Sequence, residues 1–423
     1  MQMSKTAHDL IKNRRPKYSL DAPFYHDKEI FDLDVKYIFG NHWIFVGVEP
    51  DIPEPGDYFT VPMVGASVVV VRDDDMSIHA FHNVCRHRGA RLCDGDKGSV
   101  GNIVCPYHQW TYNTRGKLVY TEHMGDKFDP DQHNLKTVHV GNVGGLIFIC
   151  LADKPPQDFE QMKADMEPYI APHQIANTKI AYEEDLIEHG NWKFTMENNR
   201  ECYHCASNHP ELTISLYEFG FGYQPSPENS AEIVKFNELI KTEHARWESC
   251  GLPSREKEFL DTRVTGYRTE RLPLDKAGES QTMDSKVACK KLLGELTLRN
   301  LGGLSFWTQP NSWHHFMSDH IVTFSVLPID AERTLLRTKW LVHKDAVEGV
   351  DYDKDHLSAV WRATNRQDGA LVERCNFGSS NPEYKPGPYS PFTEELVEKF
   401  VAWYIGRMRA LGGVKAEASA AAA

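Results

Sequence analysis

The sequence predicts an α+β protein, with an all-β unit followed by a unit that mixes helices and strands. Short runs of β-branched and aromatic residues, separated by turn residues, fill the chain from Trp43 to Asp153. The Pro155-Pro156 pair then marks a boundary, and helical periodicity alternates with strand-like runs beyond it. We therefore divide the chain into four parts. Residues 1–42 are a helical lead-in that packs on the mixed unit, residues 43–153 are the all-β unit, residues 154–412 are the mixed unit, and residues 413–423 are a disordered tail.

The elements of the lead-in and the all-β unit follow from local patterns. Apolar residues at helical spacing predict one helix over residues 30–39. Strands at 57–61 and 67–71 flank the turn at Gly65, and residues 77–81 form the next strand. Residues 113–116 predict a second hairpin between strands at 110–112 and 117–119. The apolar run 145–151 closes the unit.

The mixed unit contains three predicted helices and three predicted strands. Residues 192–205 contain no Gly or Pro, and residues 354–375 carry an apolar stripe at helical spacing. Pro391 at a first helical position predicts a helix from Ser390 to about Arg409. The strands are the aromatic-rich segment and two apolar runs: residues 305–313, 325–327 and 335–342.

Composition excludes several classes of protein. The 423 residues provide room for two or three stable domains, and a formal charge of −13 argues against a nucleic-acid or anionic-membrane partner. The odd number of nine cysteines fits a reducing compartment. No secretory signal pattern and no run of eighteen apolar residues occurs, so we expect a soluble, cytoplasmic protein. No GxGxxG or P-loop motif indicates a nicotinamide or flavin site.

Two short loops in the all-β unit each offer one thiolate and one imidazole. They are Cys85-Arg-His87 and Cys105-Pro-Tyr-His108. A [2Fe–2S] centre of the Rieske type takes two Cys on one iron and two His on the other, which this order fits. Zinc accepts the same atoms, but zinc fingers usually keep the two Cys together and the two His together. We therefore predict that Cys85, His87, Cys105 and His108 hold an iron–sulfur cluster.

A second metal site is predicted around residue 204. Glu201 and His204 stand three residues apart on one face of the predicted helix. His209 is five residues beyond His204, but Pro210 ends helical geometry and allows His209 to fold back beside His204. Two imidazoles and one carboxylate form the facial triad that holds non-haem Fe(II) with open positions for dioxygen.

The carboxylate of this triad is predicted to be Asp368. It lies within the apolar stripe of residues 354–375, where an acid is costly unless it is paired or binds a metal. Asp319 is a rival carboxylate, which we expect at a polar strand edge, and Glu197 is another. The pair Cys202 and Cys205 can be read as a redox or zinc motif, but no second pair lies nearby. We interpret five further cysteines as small buried hydrophobic residues: Cys93, Cys150, Cys250, Cys289 and Cys375.

These segments together resemble the Rieske non-haem iron oxygenase family, α-subunit type. The resemblance runs from about Ile30 to Tyr404 and is carried by both cluster loops, by residues 197–205, by residues 338–353 and by the Asp-x-x-Leu-Val-Glu segment at Asp368. Within the family it is similar to the branch that demethylates quaternary ammonium compounds. That branch carries Glu at position 201, where most of the family has Asp.

The resemblance implies a helix-grip catalytic domain with an antiparallel sheet, and a homotrimer in which Glu201 bridges the cluster of one subunit and the iron of its neighbour. It implies a monooxygenase that uses O2 and releases formaldehyde from a betaine. Proline betaine is favoured, with glycine betaine or a carnitine-like compound as alternatives. No reductase domain is present, so electrons from NADH require a separate flavin–ferredoxin reductase.

A quaternary ammonium group has no N–H to donate, and aromatic faces bind it through cation–π attraction. Four aromatic residues are therefore predicted to contact the substrate, with Trp307 first: Trp307, Tyr203, Phe221 and Tyr223. Each of these side chains can equally be a core residue. Two other classes of protein remain open: a Rieske ferredoxin would lack the second site, and a zinc-binding interaction protein would be colourless.

Overall fold

Three β-sheets form the framework of the protein. The computed structural model describes residues 3–217, 219–220 and 222–415. The strands, numbered β1 to β17 in chain order, are Ile44–Val48, Asp57–Met63, Ala66–Arg72, Ile78–His82, Lys97–Ser99, Ile103–Val104, Thr111–Tyr112, Leu118–Tyr120, Thr137–Val143, Leu146–Cys150, Thr178–Glu188, Lys257–Glu258, Tyr267–Leu272, Gly303–Thr308, Ser312–Phe316, His320–Asp330 and Arg333–His343.

The helices alternate with the strands along the chain. The α-helices, numbered α1 to α9, are Lys5–Lys12, Pro23–His26, Lys28–Leu33, Phe159–Ile170, Trp192–Asn199, Cys205–Asn208, Ser230–Ser249, Lys354–Ser379 and Glu395–Gly412. A π-helical turn, Asp34–Phe39, continues α3. Together they cover the helix predicted over residues 30–39, and Asp27 caps it by accepting from the backbone N–H groups of Glu29 and Ile30.

The first seven-stranded sheet and the three-stranded sheet account for the predicted all-β unit. The large sheet has the order β1-β10-β9-β4-β3-β2-β5, and the small one has the order β6-β7-β8. The hairpin around Gly65 is present as β2 and β3, with Met63 paired to Ala66. Gly65 has a φ of +71°, which explains a glycine at this turn. The second predicted hairpin is present as β7 and β8.

The second seven-stranded sheet is antiparallel, with the order β11-β17-β16-β15-β14-β13-β12. The 26-residue helix α8 contacts β11 and α5, which confirms the predicted α+β class with a helix held against an antiparallel sheet. The aromatic segment 305–313 is not one strand as predicted. It forms the end of β14, a turn at Gln309 and the start of β15, in which Trp307 pairs with Trp313.

Two predicted helices have different bounds in the structure. The helix predicted over residues 192–205 ends at Asn199, and the chain becomes irregular before α6. The helix predicted from Ser390 begins at Glu395 instead. The Ser390 hydroxyl accepts from the N–H of Phe392 and so stabilises a turn ahead of the helix.

Buried contacts join the first large sheet to the second. Lys339 Nζ of β17 lies 2.6 Å from both carboxylate oxygens of Asp51, and Lys97 Nζ is 2.9 Å from the same carboxylate. The Asn311 side chain pairs with both backbone groups of Phe45 in β1, at 3.0 and 2.9 Å. The sheets are therefore connected by specific polar contacts as well as by apolar packing.

No helix in the described part of the chain combines the length and the apolar character needed to cross a membrane. Of the predicted tail, residues 416–423 lie outside the described residues. Cys93, Cys150 and Cys289 are buried as expected, but Cys250 and Cys375 are exposed. The interpretation of those two cysteines as buried hydrophobic residues is therefore wrong.

Candidate metal centres and substrate cavity

The two cluster loops lie side by side at one end of the first large sheet. Cys85 and Cys105 are buried, whereas His87 and His108 are exposed, with their ring centroids 4.6 Å apart. Trp110 stacks on His87 at 4.8 Å and fixes the orientation of that ring. The four predicted residues therefore form a compact donor set, with thiolates inside and imidazoles at the surface.

This donor set fits a Rieske cluster. The Tyr112 hydroxyl lies 3.5 Å from Cys85 Sγ and accepts from the Arg86 N–H at 3.1 Å, so a polar group already faces the thiolate side. Hydrogen bonds to cluster sulfurs and the exposure of the ligands tune the reduction potential. The exposed imidazoles of His87 and His108 give an electron a route to the protein surface.

Three predicted iron ligands meet: His204 and His209 at the two ends of α6, and Asp368 in the middle of α8. Asp368 Oδ1 lies 3.3 Å from His204 Nε2 and 2.9 Å from His209 Nε2. Both His209 Nε2 and Asp368 Oδ1 are buried, and neither makes a hydrogen bond of acceptable geometry with any of the described residues, including each other. Ligand atoms about 2.1 Å from one metal ion and at right angles to each other are about 3 Å apart. The three side chains therefore fit a facial triad around one metal ion.

The second nitrogen of each imidazole has a fixed acceptor. His204 Nδ1 lies 2.5 Å from Glu201 Oε1, and His209 Nδ1 lies 2.8 Å from Gln367 Oε1. Each contact leaves Nε2 as the metal-binding atom. Gln367 in turn donates to Glu211 at 2.7 Å. Sequence reasoning missed Gln367, and the only available signal was its position next to Asp368.

The electrostatics of the triad favour positive charge at its centre. Burial by itself lowers the pKa of His204, but interactions with Asp368 and Glu201 outweigh burial and raise this pKa to about 9. Burial would raise the pKa of Asp368, but His204 and His209 hold it below its usual value. A divalent metal ion supplies the positive charge that this arrangement stabilises.

The break between α5 and α6 places these ligands. Arg200 ends α5, and Glu201 then accepts hydrogen bonds through its side chain from the backbone N–H groups of Tyr203 and His204. Such local side-chain bonds compete with helix formation, which explains why the predicted helix stops early. The chain turns back into α6, which ends at Asn208, the position expected from Pro210.

A disulfide bond between Cys202 and Cys205 encloses His204. From the composition we predicted no disulfide in this chain, and the Cys202–Cys205 bond shows that this prediction is wrong. Cys205 Sγ belongs, with the imidazoles of His204 and His209, to a group of potential metal ligands within 4.8 Å of one another. The disulfide occupies this sulfur and leaves the carboxylate of Asp368 as the third ligand.

A cavity opens directly onto the triad, with about 460 Å³ of free space when the solvent at its mouth is included. Its walls include Trp307, His315 and Trp361, together with Leu212 and Leu216. Trp361 precedes Asp368 by two turns of α8 and stacks on His315 at 4.6 Å. Sequence reasoning placed Trp361 in the core stripe and did not consider His315, because the fold alone brings the two rings together beside the triad.

The predicted substrate-contacting residues have different positions. Trp307 borders the cavity, but Tyr203 does not, and its side chain is 62% exposed. Tyr223 is directed towards the backbone, with its hydroxyl donating to Cys202 O at 3.3 Å, and it does not border the cavity. Phe221 lies outside the described residues. This geometry gives no support to a substrate contact by Tyr203 or Tyr223.

The rival carboxylates are engaged elsewhere. Asp319 is fully buried, not at a polar edge as we expected, and it accepts from Ser280 and from the backbone N–H groups of Ala288 and Cys289. Glu197 accepts from the Tyr25 hydroxyl at 3.0 and 3.1 Å. Burial raises the pKa of Glu197 to about 7. Neither carboxylate belongs to the triad.

Two family models match the sequence of this chain. Residues 42–138 match the Rieske [2Fe-2S] domain, and residues 171–410 match the ring hydroxylating alpha subunit (catalytic domain). The second match alone covers more than half of the chain. This chain belongs to the ring-hydroxylating α-subunit family. It is an oxygenase component of the Rieske non-haem iron type, which uses a [2Fe–2S] cluster, a mononuclear iron and O2.

Relatives of known function align with almost the whole chain. It is 43% identical over 401 residues to the glycine betaine monooxygenase oxygenase subunit of Chromohalobacter salexigens, covering 95% of this chain and 88% of the relative. The glycine betaine monooxygenase oxygenase subunit of Pseudomonas aeruginosa is 41% identical over 406 residues, covering 96% and 92%. A crystal structure of the quaternary ammonium Rieske monooxygenase CntA has the same fold, with a TM-score of 0.70, 20% identity and coverage of 96% and 99%.

Proposed function

We propose that this chain is the oxygenase component of a cytoplasmic monooxygenase that removes an N-methyl group from a small betaine. The proposal depends mainly on one observation: the cavity over the His204, His209 and Asp368 triad is lined by aromatic rings and leucine side chains. Such walls bind a quaternary ammonium group, which offers no hydrogen bond and prefers aromatic faces.

The position of Trp361 supports this reaction. Its ring lies two helical turns before Asp368 and borders the same cavity. A trimethylammonium group against this ring has its methyl groups next to the triad. Leu212 and Leu216 add apolar surface to the same cavity and help to exclude water from it. Trp307 also borders the cavity and remains a predicted contact.

Iron held by His204, His209 and Asp368 would supply the activation of dioxygen, and one oxygen atom of O2 enters one N-methyl C–H bond. Two electrons, two protons and O2 give the N-hydroxymethyl compound and water. The N–CH2OH bond then breaks to release formaldehyde, a proton and a tertiary amine. The side chains of the cavity hold the cation and exclude water, and none of them is needed as an acid for this last step.

Glu201 is proposed as the bridge by which electrons reach the iron. It borders the substrate cavity and also a second cavity, which has about 1230 Å³ of free space when the adjoining solvent is included. We propose a homotrimer in which the exposed His108 of a neighbouring subunit enters this second cavity and contacts Glu201. A separate NADH-dependent flavin–ferredoxin reductase delivers the electrons to the cluster.

Glycine betaine is our first candidate substrate, because the glycine betaine monooxygenase subunits align with almost the entire chain. Proline betaine, which the sequence favoured, remains a prediction, and a carnitine-like compound is a further alternative. All three carry a quaternary ammonium group and a carboxylate.

The test supplies purified protein, a compatible flavin–ferredoxin reductase and NADH, and measures formaldehyde from a panel of these betaines. We expect NADH- and O2-dependent formaldehyde in a 1:1 ratio to the demethylated amine. The variant His204→Ala/His209→Ala should keep the cluster spectrum and lose all turnover. No formaldehyde from any betaine, or full turnover in that double variant, would refute the proposal.

A further inference from the structure

A buried arginine without an acidic partner stands behind one wall of the substrate cavity. The Arg200 side chain is fully buried, and no carboxylate of the described residues lies within ion-pair distance of it. Its Nη2 donates to Thr308 O and Gln309 Oε1, both at 3.2 Å, while its Nε has no hydrogen-bond partner in the described part of the chain. A buried cation without an anion is costly, so this one requires an explanation.

Arg200 reaches the cavity through two residues that border it. Its Nη1 donates to Asn199 Oδ1 at 2.5 Å, and its guanidinium carbon lies 4.9 Å from the centre of the Trp307 ring. An arginine can only donate, so the oxygen of the Asn199 amide must face Arg200. The NH2 end of Asn199 is then left to donate elsewhere, and Asn199 lines the cavity.

Charge is distributed unevenly around the cavity. The guanidinium of Arg268 lies 5.0 Å from the same Trp307 ring, but Glu256 and Glu270 neutralise it. Two carboxylates pair with Arg268, whereas no carboxylate of the described residues pairs directly with Arg200; burial, with Arg268 nearby, lowers the pKa of Arg200 to about 9. Within the cavity lining, the guanidinium charge of Arg200 is therefore next to Asn199 and Trp307, whereas Trp361 shares helix α8 with the carboxylate of Asp368 and is better suited to a cation.

We propose that Asn199 donates its amide N–H to the carboxylate of the substrate, with Arg200 as the positioning residue that orients Asn199 and supplies the compensating charge. This inference deepens the proposed function and rests on it. In this orientation the carboxylate lies at Asn199 and the trimethylammonium group at Trp361, which directs a methyl group towards the triad. Trp307, already in contact with two guanidinium groups, then borders the carboxylate and not the ammonium.

The assay compares two ligands of the same shape. Glycine betaine carries a carboxylate, whereas isobutyltrimethylammonium has two methyl groups in its place. Binding of each to the complete protein is measured by calorimetry, and KM and kcat by formaldehyde release. We expect the unmodified protein to bind glycine betaine more tightly than the isostere.

Substitution of Asn199 by Ala should abolish this preference. A hydrogen bond to a charged group corresponds to roughly a tenfold to hundredfold change in affinity. We therefore expect Kd and KM for glycine betaine to rise by about that factor in Asn199→Ala, with kcat less affected and the Kd of the isostere almost unchanged. Asn199→Asp should lose still more, because it repels the carboxylate. Arg200→Lys, which keeps the charge, should retain more of the preference than Arg200→Met.

Three outcomes would overturn the inference: equal binding of the two ligands by the unmodified protein, an equal loss for both in Asn199→Ala, or no loss for either. Failure of the proposed function has a different signature, in which the unmodified protein releases no formaldehyde from any betaine. If Arg200→Met does not fold, the Asn199 variants alone decide the question.

Discussion

Gln367 provides the most direct test of how the mononuclear site is built. Its Oε1 accepts from His209 Nδ1 at 2.8 Å and is the contact that directs Nε2 of this ring to the metal position. Methionine at position 367 has nearly the same length and shape but a thioether that accepts hydrogen bonds only weakly. The substitution therefore removes the acceptor with little change in packing.

The expected effect is a loss of iron affinity. Removing a partner that orients a metal-binding histidine typically costs 10- to 100-fold in affinity, or about 1.4 to 2.7 kcal/mol. We expect the Kd of the mononuclear site of Gln367→Met for Fe(II) to rise within this range. The assay strips the mononuclear iron with a chelator under anaerobic conditions and titrates Fe(II) back, while cluster absorbance verifies that the rest of the protein is intact.

A matched control separates this contact from the second bond of Gln367. Glu211→Ala removes the acceptor of the Gln367 amide group and leaves Oε1 opposite His209. We expect this variant to bind iron almost as well as the unmodified protein. If Gln367→Met binds iron with unchanged affinity, or if Glu211→Ala loses as much, the argument that Gln367 orients His209 is refuted.

Three further predictions concern electron transfer, substrate binding and stability. Glu201→Gln should slow oxidation of the reduced cluster by substrate and O2 by at least tenfold, with both metals bound, in stopped-flow absorbance; an unchanged rate contradicts the bridge. Trp361→Leu should raise the KM for betaine about 2- to 30-fold and Trp361→Phe much less, because a cation–π contact contributes about 0.5–2 kcal/mol. Burial raises the pKa of Asp51, but Lys339 and Lys97 outweigh burial and hold it below its usual value. The Asp51 carboxylate therefore stabilises the folded protein fully above a pH of about 3.9, and this stabilisation is lost as the pH falls through the lower pKa that Asp51 has in the folded state. Asp51→Asn should lower stability by about 3–5 kcal/mol at neutral pH, a deficit that narrows below pH of about 4 in denaturant titrations.

The sequence was sufficient to predict the fold class, most strands of the first unit and the residues that converge on each centre. These features depend on local signals, such as the turn at Gly65, or on chemistry that few residue types provide, such as an acid in the apolar stripe of α8. The break at Glu201 was not predictable in the same way. It depends on a glutamate side chain bonding to its own backbone, and nothing in the spacing of apolar residues signals that competition.

The walls of the cavity were harder to predict than the ligands. Tyr203 is next to an iron ligand in sequence but lies at the surface, because consecutive residues in the turn after α5 point in different directions. His315 and Trp361 are 46 positions apart in sequence, and their rings meet only in the folded chain, where Trp361 of α8 stacks on His315 of β15. The sequence could not predict the proposed roles of Asn199 and Arg200 either, because those roles depend on the groups that surround these residues in the fold and not on the residue types.

The polar contacts between the two large sheets have a consequence for the rate of catalysis. Two sets of contacts hold the sheets in a fixed arrangement: Asn311 binds the Phe45 backbone, and Lys339 binds the Asp51 carboxylate. We therefore expect the Cys105 loop to keep its position relative to the triad of the same subunit during turnover. In the proposed homotrimer, the rate of electron delivery then depends on how closely neighbouring subunits pack. We therefore expect a substitution at the interface between subunits to lower turnover while both metal centres remain intact.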